Sequence, residues 1–175
     1  MPYAPFFEQF GKLALKETHS VSVFDNHPDL PEDDYGLIEL YCDDENCDCR
    51  RVMFDIASRK RNTSVAVVAF GWENASFYRK WYHGKNEEIA RIIIQEMVGL
   101  HLNSASPQSE LAPAILEMVR DVLQDPAYVA RLKRHYRMFK EKVDPEHFRK
   151  SSSNSTTPAA TQSKKRHLPR SPGNA

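Results

Sequence analysis

The sequence predicts an α+β domain: an antiparallel β-meander of about four strands followed by three C-terminal helices, with a short N-terminal helix and a disordered C-terminal tail. A change of periodicity carries this prediction. Between Ser20 and Trp72 four runs rich in β-branched and aromatic residues alternate with polar or Pro-rich connections. From Asn86 onward apolar residues instead return every three or four positions. Strands first and helices afterwards is the order of a sheet with helices packed on one face. The second observation sets the boundary. Beyond Lys150 the only large apolar residue is Leu168, so burial cannot offset the entropy of ordering that stretch. One domain over residues 1–148 and a basic, Ser-rich tail over 149–175 follow.

Each element has its own local reason. Phe6, Phe7, Phe10, Leu13 and Ala14 are spaced as one face of a first helix behind Pro5. Val21 and Val23 alternate in a strand over Ser20 to Phe24, which the acidic connection NHPDLPEDD ends. Tyr35 to Cys42, Arg51 to Ser58 and Ser64 to Trp72 read as the meander, and the short link RKRN argues for antiparallel pairing of the last two. Phe77 to Tyr82 is compatible with a strand or a helical turn. Asn86 is placed to cap a helix with Glu87 and Glu88 in its first turn and Gly99 near its end. A loop through HLNSASPQS is expected next, with Ser109 as a cap. Ala112, Ile115, Leu116, Val119, Val122 and Leu123 then mark a helix, and Asp125 and Pro126 open the last one, striped by Val129, Leu132, Tyr136, Phe139 and Val143.

Charge narrows the function classes. Twenty-four Lys plus Arg balance twenty-four Asp plus Glu, so the overall positive field of a dedicated nucleic-acid binder is missing. The distribution is uneven, however. Asp25 to Cys49 holds ten acids and no Lys or Arg, whereas Tyr128 to the end holds twelve Lys plus Arg and three acids. Arg131, Lys133, Arg134, Arg137, Lys140 and Lys142, with Lys164, Lys165 and Arg166 in the tail, could contact phosphates; the plainer alternative is a solvated helix face with cations near its C-terminus. No apolar run is long enough for a membrane helix and no secretory signal opens the chain, so a cytoplasmic, soluble protein is expected. GxGxxG, GxxxxGK, GxSxG and HExxH are all absent. The aromatic stretch of Trp72, Phe77, Tyr78, Trp81 and Tyr82 fits a core better than a ligand groove.

The chemistry concentrates in LYCDDENCDCRRV, because all three cysteines, Cys42, Cys47 and Cys49, fall within eight positions. An odd number cannot all pair within the chain, and thiols are expected. Alternate residues of a strand share a face, so Cys47 and Cys49 could present two thiolates while DDEN turns the chain to bring in Cys42. Soft thiolates at this density suit tetrahedral zinc. The spacing C-x4-C-x-C supplies three ligands, and a closed structural site needs a fourth. His27 is the first choice, from the loop leading to the Cys42 strand; His83 and His101 are alternatives, and Asp43 or Asp48 could supply an oxygen. Asp43, Asp44, Glu45 and Asp48 would be the proton acceptors if the cluster were instead the centre of a metal-dependent or thiol enzyme. An incomplete catalytic set favours a binding or adaptor module.

ELYCDDENCDCRRVMF, together with FGWE and PQSELAPAILE, resembles a set of uncharacterised bacterial proteins, some of them associated with a C-terminal SEC-C zinc motif. The resemblance spans about Leu30 to Lys140. The SEC-C pattern itself, CxC followed by a CC or HC pair, is not in this chain, since no cysteine follows Cys49. What the resemblance implies is a thiolate metal site, without a reaction or substrate.

Overall fold

A computed structural model describes residues 3–25 and 27–146. The tail expected to be disordered, with Lys164, Lys165 and Arg166, lies outside the described residues. The sheet is antiparallel throughout and has six strands, β1 (Tyr3–Pro5), β2 (His19–Val23), β3 (Asp33–Cys42), β4 (Arg51–Ser58), β5 (Thr63–Gly71) and β6 (Gly99–Leu102). Five helices accompany it: α1 (Phe6–Glu17), α2 (Ala75–Trp81), α3 (Glu87–Met97), α4 (Ala112–Val122) and α5 (Pro126–Val143). The strand order is β1-β3-β4-β5-β6, and β2 shares the outer edge of β3 with β1. β1 pairs the Cys42 end of β3 and β2 pairs the Asp33 end.

The alternation of β3 is direct: Tyr35, Leu37, Glu39 and Tyr41 are buried and the residues between them are half-exposed. Their partners Ser58, Ile56 and Phe54 on β4 continue the same face, and α5 covers it, with Tyr128 stacked near Phe54 and the Leu132 carbonyl accepting from the Tyr41 hydroxyl. The caps follow the sequence: the Asn86 side chain accepts from the amides of Glu88 and Ile89, and that of Asp125 from Ala127.

Two expectations are corrected. Two strands were not foreseen, because β1 and β6 have only three and four residues, too few to display a period, and β6 occupies the start of the expected HLNSASPQS loop. The helical alternative for Phe77 to Tyr82 is the one observed, within α2 and with Asn74 as its cap. Nor do all helices share one face. Gly71 lies opposite Arg51, on the face away from α5, and there α2 and the end of α3 press in so closely that a Cβ on Gly71 would sit 1.9 Å from the Met97 carbonyl oxygen and 2.5 Å from the Tyr78 hydroxyl. Gly71→Ala is therefore expected to cost roughly 3 kcal/mol, because the nearest atom is backbone and cannot rotate away; urea unfolding of the variant measures it, and a cost below 1 kcal/mol would contradict this packing.

Candidate metal centre

The three sulfurs are gathered as the spacing suggests, by a different backbone route. Cys42 ends β3, whereas Cys47 and Cys49 lie in the loop between β3 and β4 and not on a strand. The loop closes on a turn in which the Cys47 amide donates to the Asp44 carbonyl and Asn46 adopts φ 62°, a left-handed conformation that asparagine tolerates. Arg50 is also left-handed, at φ 43°, a conformation that surrounding contacts must hold. Those contacts are present: its amide donates to the Tyr136 hydroxyl, its carbonyl accepts from the Tyr78 hydroxyl, and its guanidinium meets Asp48 and Glu73 and lies over the Phe77 ring. The result is that the Cys42, Cys47 and Cys49 sulfurs all lie within 4.8 Å of one another. Cys42 and Cys49 are wholly buried and Cys47 is half-buried.

The three thiols interact directly with one another. Cys42 accepts from the Cys47 and Cys49 thiols and the Asp44 amide, with the Lys140 cation nearby, and these together hold it well below the ordinary thiol range against the opposing effect of burial. Cys49 is driven well above that range by the same thiol contacts and by burial, and Cys47 is raised by its bond to Cys42. Thiols bind a divalent ion as thiolates, so the affinity of this cluster for a metal would fall in acid.

The C-terminal half of α5 supports the loop, and this support was not anticipated. Lys140, expected on a phosphate-facing surface, is wholly buried. Its ammonium donates to the Cys42 carbonyl at 3.2 Å and to the Asp44 carbonyl at 2.7 Å. Tyr136 donates to Asp48, and the Asp144 carboxylate accepts from the Asn46 amide. A signal existed in the sequence: Leu132, Tyr136 and Lys140 are spaced by four, so a lysine falls on an apolar stripe. Lys140→Met keeps the volume and removes the cation and both bonds. It is expected to weaken metal binding about 10–100-fold, as loss of a group supporting the ligands does; competition with a chromophoric chelator reads the affinity, and unchanged binding would remove Lys140 from the centre.

The proposed fourth ligands are not gathered with the sulfurs. His27 is exposed, and its Nδ1 accepts from the amides of Asp29 and Leu30 in the loop before β3. Cys42 is at the other end of that ten-residue strand, which at about 3.4 Å per residue separates the two ends by about 30 Å. His83 is exposed between α2 and α3. His101 stands on β6 with Nε2 2.9 Å from the Arg51 guanidinium, and burial together with that cation lowers its pKa. Asp43 is exposed, and the Asp48 carboxylate is held by Tyr136 and Arg50. Among the described residues, Cys42, Cys47 and Cys49 form the one group of His, Cys, Asp or Glu able to hold a metal.

A second polar cluster lies beneath α1 and α5. His135 is 1% exposed, with Nδ1 2.7 Å from a Glu39 oxygen and Nε2 2.8 Å from a Glu17 oxygen. Phe6 stacks on its ring, Tyr41 donates to Glu39, and Arg134 pairs with Glu17. Of the candidate phosphate contacts on α5, Lys133 and Arg137 are exposed, Arg134 is engaged here, and Arg131 lies over the Tyr128 ring.

Comparison with protein-family models, curated proteins and solved structures finds no match to this chain. No helix among the described residues is long and apolar enough to cross a membrane.

Proposed function

We propose that the chain is a small cytoplasmic binding or adaptor module in which Cys42, Cys47 and Cys49 hold a structural zinc ion. The observation that carries this reading is the approach of the three sulfurs within 4.8 Å, close to the roughly 3.8 Å that tetrahedral zinc with 2.3 Å bonds requires. Three features support it further. The donor set is thiolate, which favours zinc over hard cations. The buried Lys140 ammonium offsets the single negative charge that three thiolates leave on a divalent ion. The resemblance to proteins associated with a zinc motif points to the same chemistry.

A structural role is favoured by the burial of the donors: Cys42 and Cys49 are wholly buried and Cys47 is half-buried, which leaves a substrate little access to the sulfurs. Elemental analysis of protein purified without chelators tests the reading. Near one zinc per chain, lost in Cys49→Ser, is expected; freshly reduced protein that carries no metal and takes up none would overturn it.

A further inference from the structure

We infer that the groove between β2 and α4 receives an extended segment of a partner protein. The segment pairs with the open edge of β2, places an apolar side chain in the groove and sets basic residues against its acidic rim. The inference deepens the binding-module reading, on which it rests, by naming the surface and the chemistry of the partner. Three observations carry it, and the first is the strand edge. Among the described residues β2 is paired on one side only, by β3. The Arg59 amide donates to the Asp34 carbonyl, so the Asp34 backbone faces β4. Backbone groups alternate sides along an antiparallel strand, and those of Asp33 and Tyr35 therefore face β2. Their partners there are Val23 and Val21. Ser20 and Ser22 thus turn their amides and carbonyls away from the sheet, and both residues are exposed. Such an edge is a template for one more strand.

The second observation is the shape beside that edge. A cavity of about 590 Å³ opens there, with Val21 and Val23 from β2 and Ala114, Met118 and Val122 from α4 as its apolar lining. The three α4 residues are spaced by four and only half-buried. They form a second apolar stripe beside Ile115 and Val119, which are wholly buried. Phe24 lines the same cavity and is 72% exposed, an aromatic anchor open to a partner. The third observation is charge. Asp29, Glu117 and Asp121 line the cavity, and among the described residues no Lys or Arg does. Arg120 engages Glu117 and leaves Asp29 and Asp121, among the described residues, without an ion pair. The adjoining hollow of about 380 Å³ differs, because its acids Glu32 and Asp34 are already held by Lys60 and Arg59. The unbalanced rim of the larger groove fits a cationic segment. Residues two apart on an extended partner share the face that enters the groove, so the fitting sequence is an apolar residue with Lys or Arg two positions to either side.

The test uses the full chain as purified and the fluorescein-labelled heptapeptide Thr-Lys-Thr-Val-Thr-Lys-Thr, with Glu in both Lys positions as the control. Fluorescence anisotropy reads affinity, and amide NMR shifts read the site. The expected result is saturable binding of the basic peptide, at least about tenfold tighter than the acidic one, with shifts gathered on β2 and α4. Ser22→Pro should weaken binding at least about tenfold, because proline removes an outward amide that the sheet does not use. Asp29→Lys with Asp121→Lys should do the same through the rim. Circular dichroism and the Tm of each variant separate lost binding from a folding defect. No binding, equal binding of the two peptides, or shifts confined to other surfaces would overturn the inference. So would self-association of the chain through β2 in sedimentation, which would make a second copy the occupant. Zinc content is read on the same samples. A zinc-loaded chain that ignores the peptide would overturn the groove and leave the metal centre standing, and a chain that binds the peptide but takes up no zinc would do the reverse.

Discussion

Replacing His135 with alanine is expected to destabilise the protein by about 3–5 kcal/mol, because it removes a buried ring and leaves the buried Glu39 side chain short of a hydrogen-bond partner. The geometry makes this residue costly to remove. Both imidazole nitrogens face carboxylate oxygens, Glu39 at 2.7 Å and Glu17 at 2.8 Å. The Glu39 side chain is 4% exposed and cannot recover its lost partner from water. Phe6 also loses the ring it stacks on at 4.3 Å. A fall in Tm of roughly 10 °C corresponds to this range in a domain of this size. The double change His135→Leu with Glu39→Leu should recover much of the loss, since removing both buried polar partners together leaves no orphan. Denaturant unfolding of the single and double variants checks both statements; a single variant within 1 kcal/mol of the parent would show that the pair is not coupled as described.

The same network gives acid sensitivity a sign. Burial tends to raise the Glu17 pKa, but hydrogen bonding to His135 and the charges of Arg134 and His135 lower it overall. A carboxylate depressed in the folded state adds stability above its unfolded pKa of about 4.3, and that stability is lost as pH falls through the lower folded value. The Glu17 contribution should therefore persist at pH 5 and fade below about pH 4, and Glu17→Gln should flatten the stability curve over that interval.

The second large effect is expected at the metal centre. With zinc at a thousand times its dissociation constant, binding to the folded state alone adds about 4 kcal/mol. Chelation should lower the Tm of the parent protein, and added zinc should restore it. Cys49→Ser should begin near the chelated value and respond to neither treatment, because one buried thiolate of three is gone. Thermal unfolding at fixed protein concentration measures all four conditions, and a parent Tm indifferent to both chelator and zinc would sink the structural role.

Much of the molecule was legible in the chain, for physical reasons that differ between elements. β3 and β4 announced themselves because one face is buried and one half-exposed, which imposes alternation on residues such as Tyr35, Leu37 and Tyr41, whereas β5, buried on both faces, shows as a run of apolar and β-branched residues. α3 and α5 were bounded correctly because Asn86, Asp125 and Pro126 act within their own turns. The cysteine cluster was legible because its three members are close in sequence, so little chain entropy opposes gathering them.

What tertiary structure alone decided is long-range. His27 stood out because its loop adjoins the Cys42 strand in sequence, but β3 is extended and carries its two ends about 30 Å apart. Lys140 reaches the loop across 98 and 96 residues of chain, to Cys42 and Asp44, and His135 meets Glu17 across 118. Neither distance leaves a mark in local composition. β1 and β6 belong to the same class, since strands of three and four residues are set by the edges that receive them. Local patterns determined the elements and the metal-binding residue type; the packing of α5 against β3 determined which buried charges have partners and where the cysteine loop is held.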